Sequence, residues 1–190
     1  YIETGSLISI KKNVKDIMLP SEEHAIEMFP MDFEEFLWAM GDEMLMPYIR
    51  MRFDKRLPME AFHRRAMDYF RQYLIVGGMP QAVLKYVETR DFEKVDEVKR
   101  DILALYRNDI HKYADNQETK VAAIFEELPG QLQKHEKKFV LSALQSEARM
   151  RDYSQAFFWL SDAKIINCCY NSTAPSIGLK LNEERTTLKC

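Results

Sequence analysis

At 190 residues the chain is long enough for one large or two small domains, and its 46% hydrophobic and 30% charged residues allow both a buried core and solubility. No apolar run reaches the roughly 20 residues that span a bilayer, and Tyr1-Ile2-Glu3 does not open a basic-then-apolar leader, so a soluble, cytoplasmic protein without membrane contact is expected. Net charge is -3, with ten basic against eight acidic residues over 120–190 and 17 against 22 before them, which falls short of the basic stripe that marks a nucleic-acid binder.

In chain order, Tyr1 to Ile10 alternates weakly, a polar linker runs from Lys11 to Glu23, and Ala25 to Phe29 reads as a short strand. Asp32 followed by Glu35 has the spacing of a capping box. It opens a helix with Phe33, Phe36, Leu37 and Met40 on its apolar side and Trp38 packed. Leu45 to Phe53 gives a second helix, turning basic at Lys55 and Arg56, and Pro58 opens a long one. On that helix Phe62, Ala66, Tyr69, Phe70, Tyr73 and Leu74 form one stripe. Gly77 and Gly78 end it, because glycine reaches backbone conformations closed to other residues, and Pro80 suits the first turn of the next helix, Gln81 to Val87. By itself this is a helix-turn-helix corner. Asp91 then caps a long helix carrying Val95, Val98, Ile102, Leu105 and Ile110 at helical spacing.

From Asn116 the pattern shortens. Lys120 to Leu128 reads as a helix stopped by Pro129-Gly130, Phe139 to Leu144 introduces a second, and Asp152 to Asp162 is a third with Tyr153, Ala156, Phe157 and Leu160 inward. A strand over Ile165 to Tyr170 follows, then a loop with Pro175 and Gly178, then further strands at Leu179 to Leu181 and Thr186 to Leu188. Three helices and a β wing are the grammar of a winged helix. Cys168 and Cys169 are adjacent and Cys190 stands apart, so neither a disulfide framework nor a Cys-x-x-Cys metal pair is expected. His63 has no second ligand one turn away, and no metal site is expected.

The stretch YLIVGGMPQAV, Tyr73 to Val83, resembles the glycine-glycine-x-proline motif in the helical lid of a group of bacterial and archaeal AAA-type P-loop ATPases whose C-terminal region is a domain of unknown function. MFPMDFEEFLWAMGD, Met28 to Asp42, resembles the same family's aromatic-Pro-Leu-Ser-Phe-x-Glu-Phe-Leu segment, with Met31 and Asp32 where leucine and serine are commoner. Thr4-Gly5-Ser6 resembles its turn after the sensor-1 strand, and Arg107 to Tyr113, RNDIHKY, its aromatic-Arg-x-Asp-Ile motif, although Arg107 and Asp109 read equally well as solvated charges. Arg151-Asp152-Tyr153 and Trp159-Leu160 stand where the family has an arginine-aspartate-tyrosine helix ending in tryptophan-leucine.

The resemblance implies a mainly α chain: 1–29 as the C-terminal end of the α/β ATPase core with a short β remnant, 30–115 as a helical lid bundle, and 116–190 as a truncated winged-helix-like domain. It further implies ATP and magnesium as cofactors of an intact parent, with Thr4 as the sensor-1 group and Gly77, Gly78 and Pro80 along the nucleotide edge of the lid. The partner it implies is the missing ATPase core; a protein partner or a second copy of the chain is also compatible. Where the family has a glycine followed by a cation, this chain reads Ser21-Glu22-Glu23-His24, so no arginine finger is carried over.

None of the six glycines precedes Lys-Ser or Lys-Thr, as a phosphate-binding loop requires, so the chain alone is expected to be inactive. Its adjacent carboxylate pairs, such as Glu126-Glu127, read as solvated faces. Two readings stand: a nucleotide-sensing lid with a winged helix, or a DNA- or protein-binding winged-helix module. For DNA, Arg149, Arg151, Lys164, Lys180 and Arg185 supply phosphate contacts, which give weak, salt-sensitive binding.

Overall fold

The computed structural model describes residues 26–135, 138–174 and 176–190. These fall into two compact units, 26–105 and Tyr106–Cys190.

In the first unit the expected strand at 25–29 is absent over its described residues: 26–31 are irregular, and no described strand pairs with them. Helix α1, Phe33–Ala39, starts where the capping box places it. Asp32 Oδ1 accepts the Glu35 amide at 2.9 Å and Glu35 Oε2 accepts the Asp32 amide at 2.8 Å, which satisfies two of the helix's orphan donors. Phe36 and Leu37 are fully buried, whereas Trp38 is 51% exposed. Trp38 sits two positions beyond Phe36, about 200° round the helix, and so leaves the core face.

Helix α2, Leu45–Asp54, is followed by a loop in which Arg56 and Glu60 both have positive φ. That loop corrects the expectation that Pro58 opens the long helix. Arg52 holds it outside any helix, donating from Nε to the Pro58 carbonyl at 2.7 Å and pairing with Glu60 at 2.8 Å. Helix α3, Phe62–Val76, therefore starts later, and Leu74, at 66% exposed, drops out of its predicted stripe. Helix α4, Pro80–Thr89, carries Pro80 in its first turn, where the missing amide costs nothing. Helix α5, Phe92–Tyr113, begins with the Glu93 amide on Asp91 Oδ1 at 2.9 Å. The core of this unit is Phe36, Val76, Ala82, Val83, Tyr86 and Val95.

The second unit combines the end of α5 with α6, Glu118–Gln133, α7, Met150–Asp162, and a two-stranded antiparallel sheet of β1, Cys169–Ser172, and β2, Glu183–Lys189. The ladder breaks register between Tyr170, opposite Leu188, and Asn171, opposite Glu184. Ile110, Val121, Ile124, Phe125, Phe139, Phe157, Leu160 and Leu188 are buried together, with the Phe139 and Phe157 rings edge to face at 5.1 Å. The four inward residues expected on α7 are all buried.

Four expectations fail here, the first being the strand expected over Ile165 to Tyr170, which begins only at Cys169 and runs to Ser172. Pro129-Gly130 does not stop α6, which runs on to Gln133. Proline removes one amide, but continuing the turn carries Gln131 inward, where it is 3% exposed and uses both ends of its amide: Nε2 donates to Glu127 at 2.7 Å and Oε1 accepts the Val140 amide at 3.1 Å. Leu141–Ala143 is only a single 3-10 turn where a helix is expected, and Leu179–Asn182 is another where a strand is expected. The architecture is mainly helical with a small antiparallel sheet.

Candidate functional site

The predicted nucleotide edge is the turn between α3 and α4. Gly77 adopts φ 78°, ψ -172°, a region essentially restricted to glycine, while its amide closes α3 on the Tyr73 carbonyl at 2.7 Å. A Cβ on Gly77 would meet nothing within 4 Å, so the turn opens outward at that residue. Gly78 faces the other way. A Cβ there would stand 2.1 Å from the Met31 carbonyl oxygen, and the Met31 amide donates to the Gly78 carbonyl at 2.7 Å.

Met31 is fixed from a third direction by the Tyr73 hydroxyl, which donates to its carbonyl at 2.9 Å. Burial, and then the nearby carboxylates of Asp32 and Glu35, push the Tyr73 phenol above its ordinary value of 10.0, so it stays a donor through neutral pH. The two stretches that carry the resemblance thus pack on each other, with Phe36 5.5 Å from Tyr73 and 6.5 Å from Tyr86 between ring centroids. Pro80 sits at the start of α4 directly after the turn. Thr4 lies outside the described residues.

The predicted phosphate contacts are not gathered into one stripe. Arg149 precedes α7 and Arg151 lies in its first turn, 3.5 Å from Asp152. Lys164 follows the far end of the 13-residue α7, about 20 Å away at 1.5 Å per residue. Lys180 is in the Leu179–Asn182 turn, and Arg185 is placed by its backbone in β2. Between the two ends of α7, Phe158 is 70% exposed. Arg107 is engaged by Glu126, with Nε on Oε1 at 2.5 Å, and stacks over the Phe125 ring at 5.8 Å.

Sequence reading missed a groove of about 670 Å³ in the first unit, lined in part by Arg64, Arg65, Tyr69, Gln72, Tyr86 and Arg90. Arg65 lies over Tyr69 at 5.8 Å and Arg90 over Tyr86 at 5.6 Å, and Arg65 also pairs at 2.6 Å with the buried Asp42. Its floor is polar as well as aromatic, with the Tyr86 hydroxyl 3.1 Å from Gln72 Oε1. Asp68 also lines it, so the groove carries both signs of charge. Adjacent arginines at 64 and 65 were the available signal; the left-handed Arg90, φ 54°, which ends α4, was not legible. Arg64 stands 13 positions before Gly77 on α3, about 20 Å, whereas Gln72 stands only five before it, so it is the arginine end of the groove that is remote from the glycine turn. Among the described residues no group of three or more His, Cys, Asp or Glu side chains is arranged to hold a metal ion, and no helix is long and apolar enough to cross a membrane.

Fold and site define a class no narrower than a mainly helical protein of two compact units, one with an open glycine turn and the other with a small antiparallel sheet. The chain belongs to the family described as a domain of unknown function, DUF8612, whose model matches residues 67–190. No curated protein and no solved structure matches it.

Proposed function

We propose that this chain is the nucleotide-sensing lid and winged-helix part of an AAA-type P-loop ATPase. The observation that carries the reading is the division of labour within the glycine pair: Gly78 locks α3 and α4 onto Met31, while at the half-buried Gly77 open space stands where a Cβ would be. A flat base can approach the backbone there closely because no side chain intervenes. On this reading the parent supplies the phosphate-binding loop, the acidic metal ligand, ATP and magnesium, and this chain contributes contact without chemistry.

One lid surface covers a minor part of a nucleotide, so isolated affinity is on the order of millimolar or weaker. In a titration of the 15N-labelled chain with MgATP, the Gly77, Gly78 and Met79 amides are expected to shift ahead of all others. Absence of shifts at these three with millimolar ATP overturns the reading.

For the C-terminal unit, the exposed Phe158 favours a protein partner over DNA, because a central apolar ring on the outward face of α7 gains nothing from a phosphate backbone. Duplex DNA titrated at low and physiological salt decides between them. Binding is expected to vanish at physiological salt; submicromolar affinity that persists there and prefers one sequence reverses the ranking.

A further inference from the structure

The geometry points to Cys168 and Cys190 as a dithiol site that a peroxide-class oxidant converts to an intramolecular disulfide, leaving Cys169 as a free thiol. Two observations place the pair together. The antiparallel register sets Cys169 opposite Lys189, so the next step of the ladder sets Cys168 opposite Cys190. Both cysteines also pack, partly buried, against the same core of the second unit. Directly opposed antiparallel residues have Cα atoms about 4.5–5.5 Å apart, inside the span that a disulfide bridges. Cys169, the next residue on β1, is exposed and its side chain falls on the opposite face of the strand.

The environment divides the roles. The hydrogen bond from the Cys190 thiol holds Cys168 below the ordinary thiol value against the opposing effect of burial, and Tyr170 adds a second bond that lowers it further. The same contact, reinforced by burial, pushes Cys190 up, so Cys190 is the proton-bearing donor and Cys168 the sulfur that gains thiolate character. With hydrogen peroxide, the Cys168 thiolate attacks one peroxide oxygen, breaking the O–O bond to give a sulfenic acid and hydroxide, which takes up the proton that Cys168 released. The Cys190 sulfur then attacks the sulfenic sulfur. The S–O bond breaks, the S–S bond forms, and the departing oxygen leaves as water with the Cys190 proton. Two thiols are oxidised by one electron each and one peroxide is reduced to two waters. The product staples β1 to β2 and closes the 168–190 loop, which restrains the unfolded chain. This inference stands apart from the nucleotide reading, since it concerns the other unit.

The test is to treat the full chain with a modest excess of hydrogen peroxide, count free thiols under denaturing conditions, and map peptides without reduction. In the wild type the three thiols are expected to fall to one, with the linked peptides joining Cys168 to Cys190 and Cys169 alkylated. Cys169→Ser is expected to form the same link and Cys168→Ser to form none, with circular dichroism verifying that each is folded. Dithiothreitol restores all thiols, and the melting temperature of the oxidised chain rises by several degrees. A link through Cys169, intermolecular dimers in place of the internal bridge, or thiols that survive treatment in the folded wild type each overturns the assignment, and the wild-type map alone suffices if Cys168→Ser does not fold.

Discussion

The carbonyl oxygen of Met31 occupies the space that any side chain at position 78 would need, at 2.1 Å from the site of a Cβ. This contact makes Gly78 a packing requirement, whereas Gly77 is a backbone requirement, and substitutions separate the two. Gly78→Ala is expected to destabilise the 26–105 unit by about 3 kcal/mol or more, the upper end of overpacking costs, because the obstacle is main chain and cannot swing aside. Gly130→Ala serves as its contrast. Nothing crowds that position beyond Glu127 Oε1 at 3.7 Å, and it lies within α6, so a gain of roughly 0.5 kcal/mol is expected from helix propensity. Urea melts of both variants give the comparison.

Asp42 is 7% exposed, and its carboxylate is shared between the Leu45 amide at 3.2 Å and Arg65 at 2.6 Å. Arg65→Ala leaves that carboxylate short of its cation and is expected to cost about 2 kcal/mol. Asp42→Asn in the same background relieves the uncompensated charge, so the double variant is expected to lose less than the sum of the singles. Additive losses in a double-mutant cycle count against the coupling.

The capping box makes a narrower claim. Asp32→Ala removes the acceptor for the Glu35 amide and is expected to cost about 1 kcal/mol, while Asp32→Ser retains most of it. Thermal melts with hydrogen exchange at the Glu35 amide check both.

Glu126 is held below its ordinary value of 4.5, chiefly by its hydrogen bond to Arg107, with burial opposing and the arginine's charge adding to the shift. A depressed carboxylate contributes stability that is present above the unfolded value and lost as pH falls through the folded one. The window therefore lies below pH 4.5, and the contribution is small because both side chains are about half exposed. NMR titration of the Glu126 carboxyl is expected to give a midpoint below 4.5 that Arg107→Gln raises. An unchanged midpoint in that variant removes the pair as the cause.

Features set within about two turns of helix were legible in the sequence. Asp32 with Glu35, Pro80 in a first turn, Asp91 before α5, and the inward set Tyr153, Ala156, Phe157 and Leu160 follow from hydrogen bonds and side-chain periods that span at most a few residues. What depended on distant chain was not legible. The continuation of α6 through Pro129 rests on the pocket that receives Gln131, and the exposure of Trp38 and Leu74 on which faces find partners. The groove of Arg64, Arg65 and Arg90 needs α3 beside the end of α4. The glycine pair shows the divide most plainly: its place as a helix stop is written locally, but which glycine packs and which stays open was decided only when Met31 arrived against Gly78. Cys168 and Cys190 meet for the same reason, since strand register is a property of the pairing and of neither strand alone.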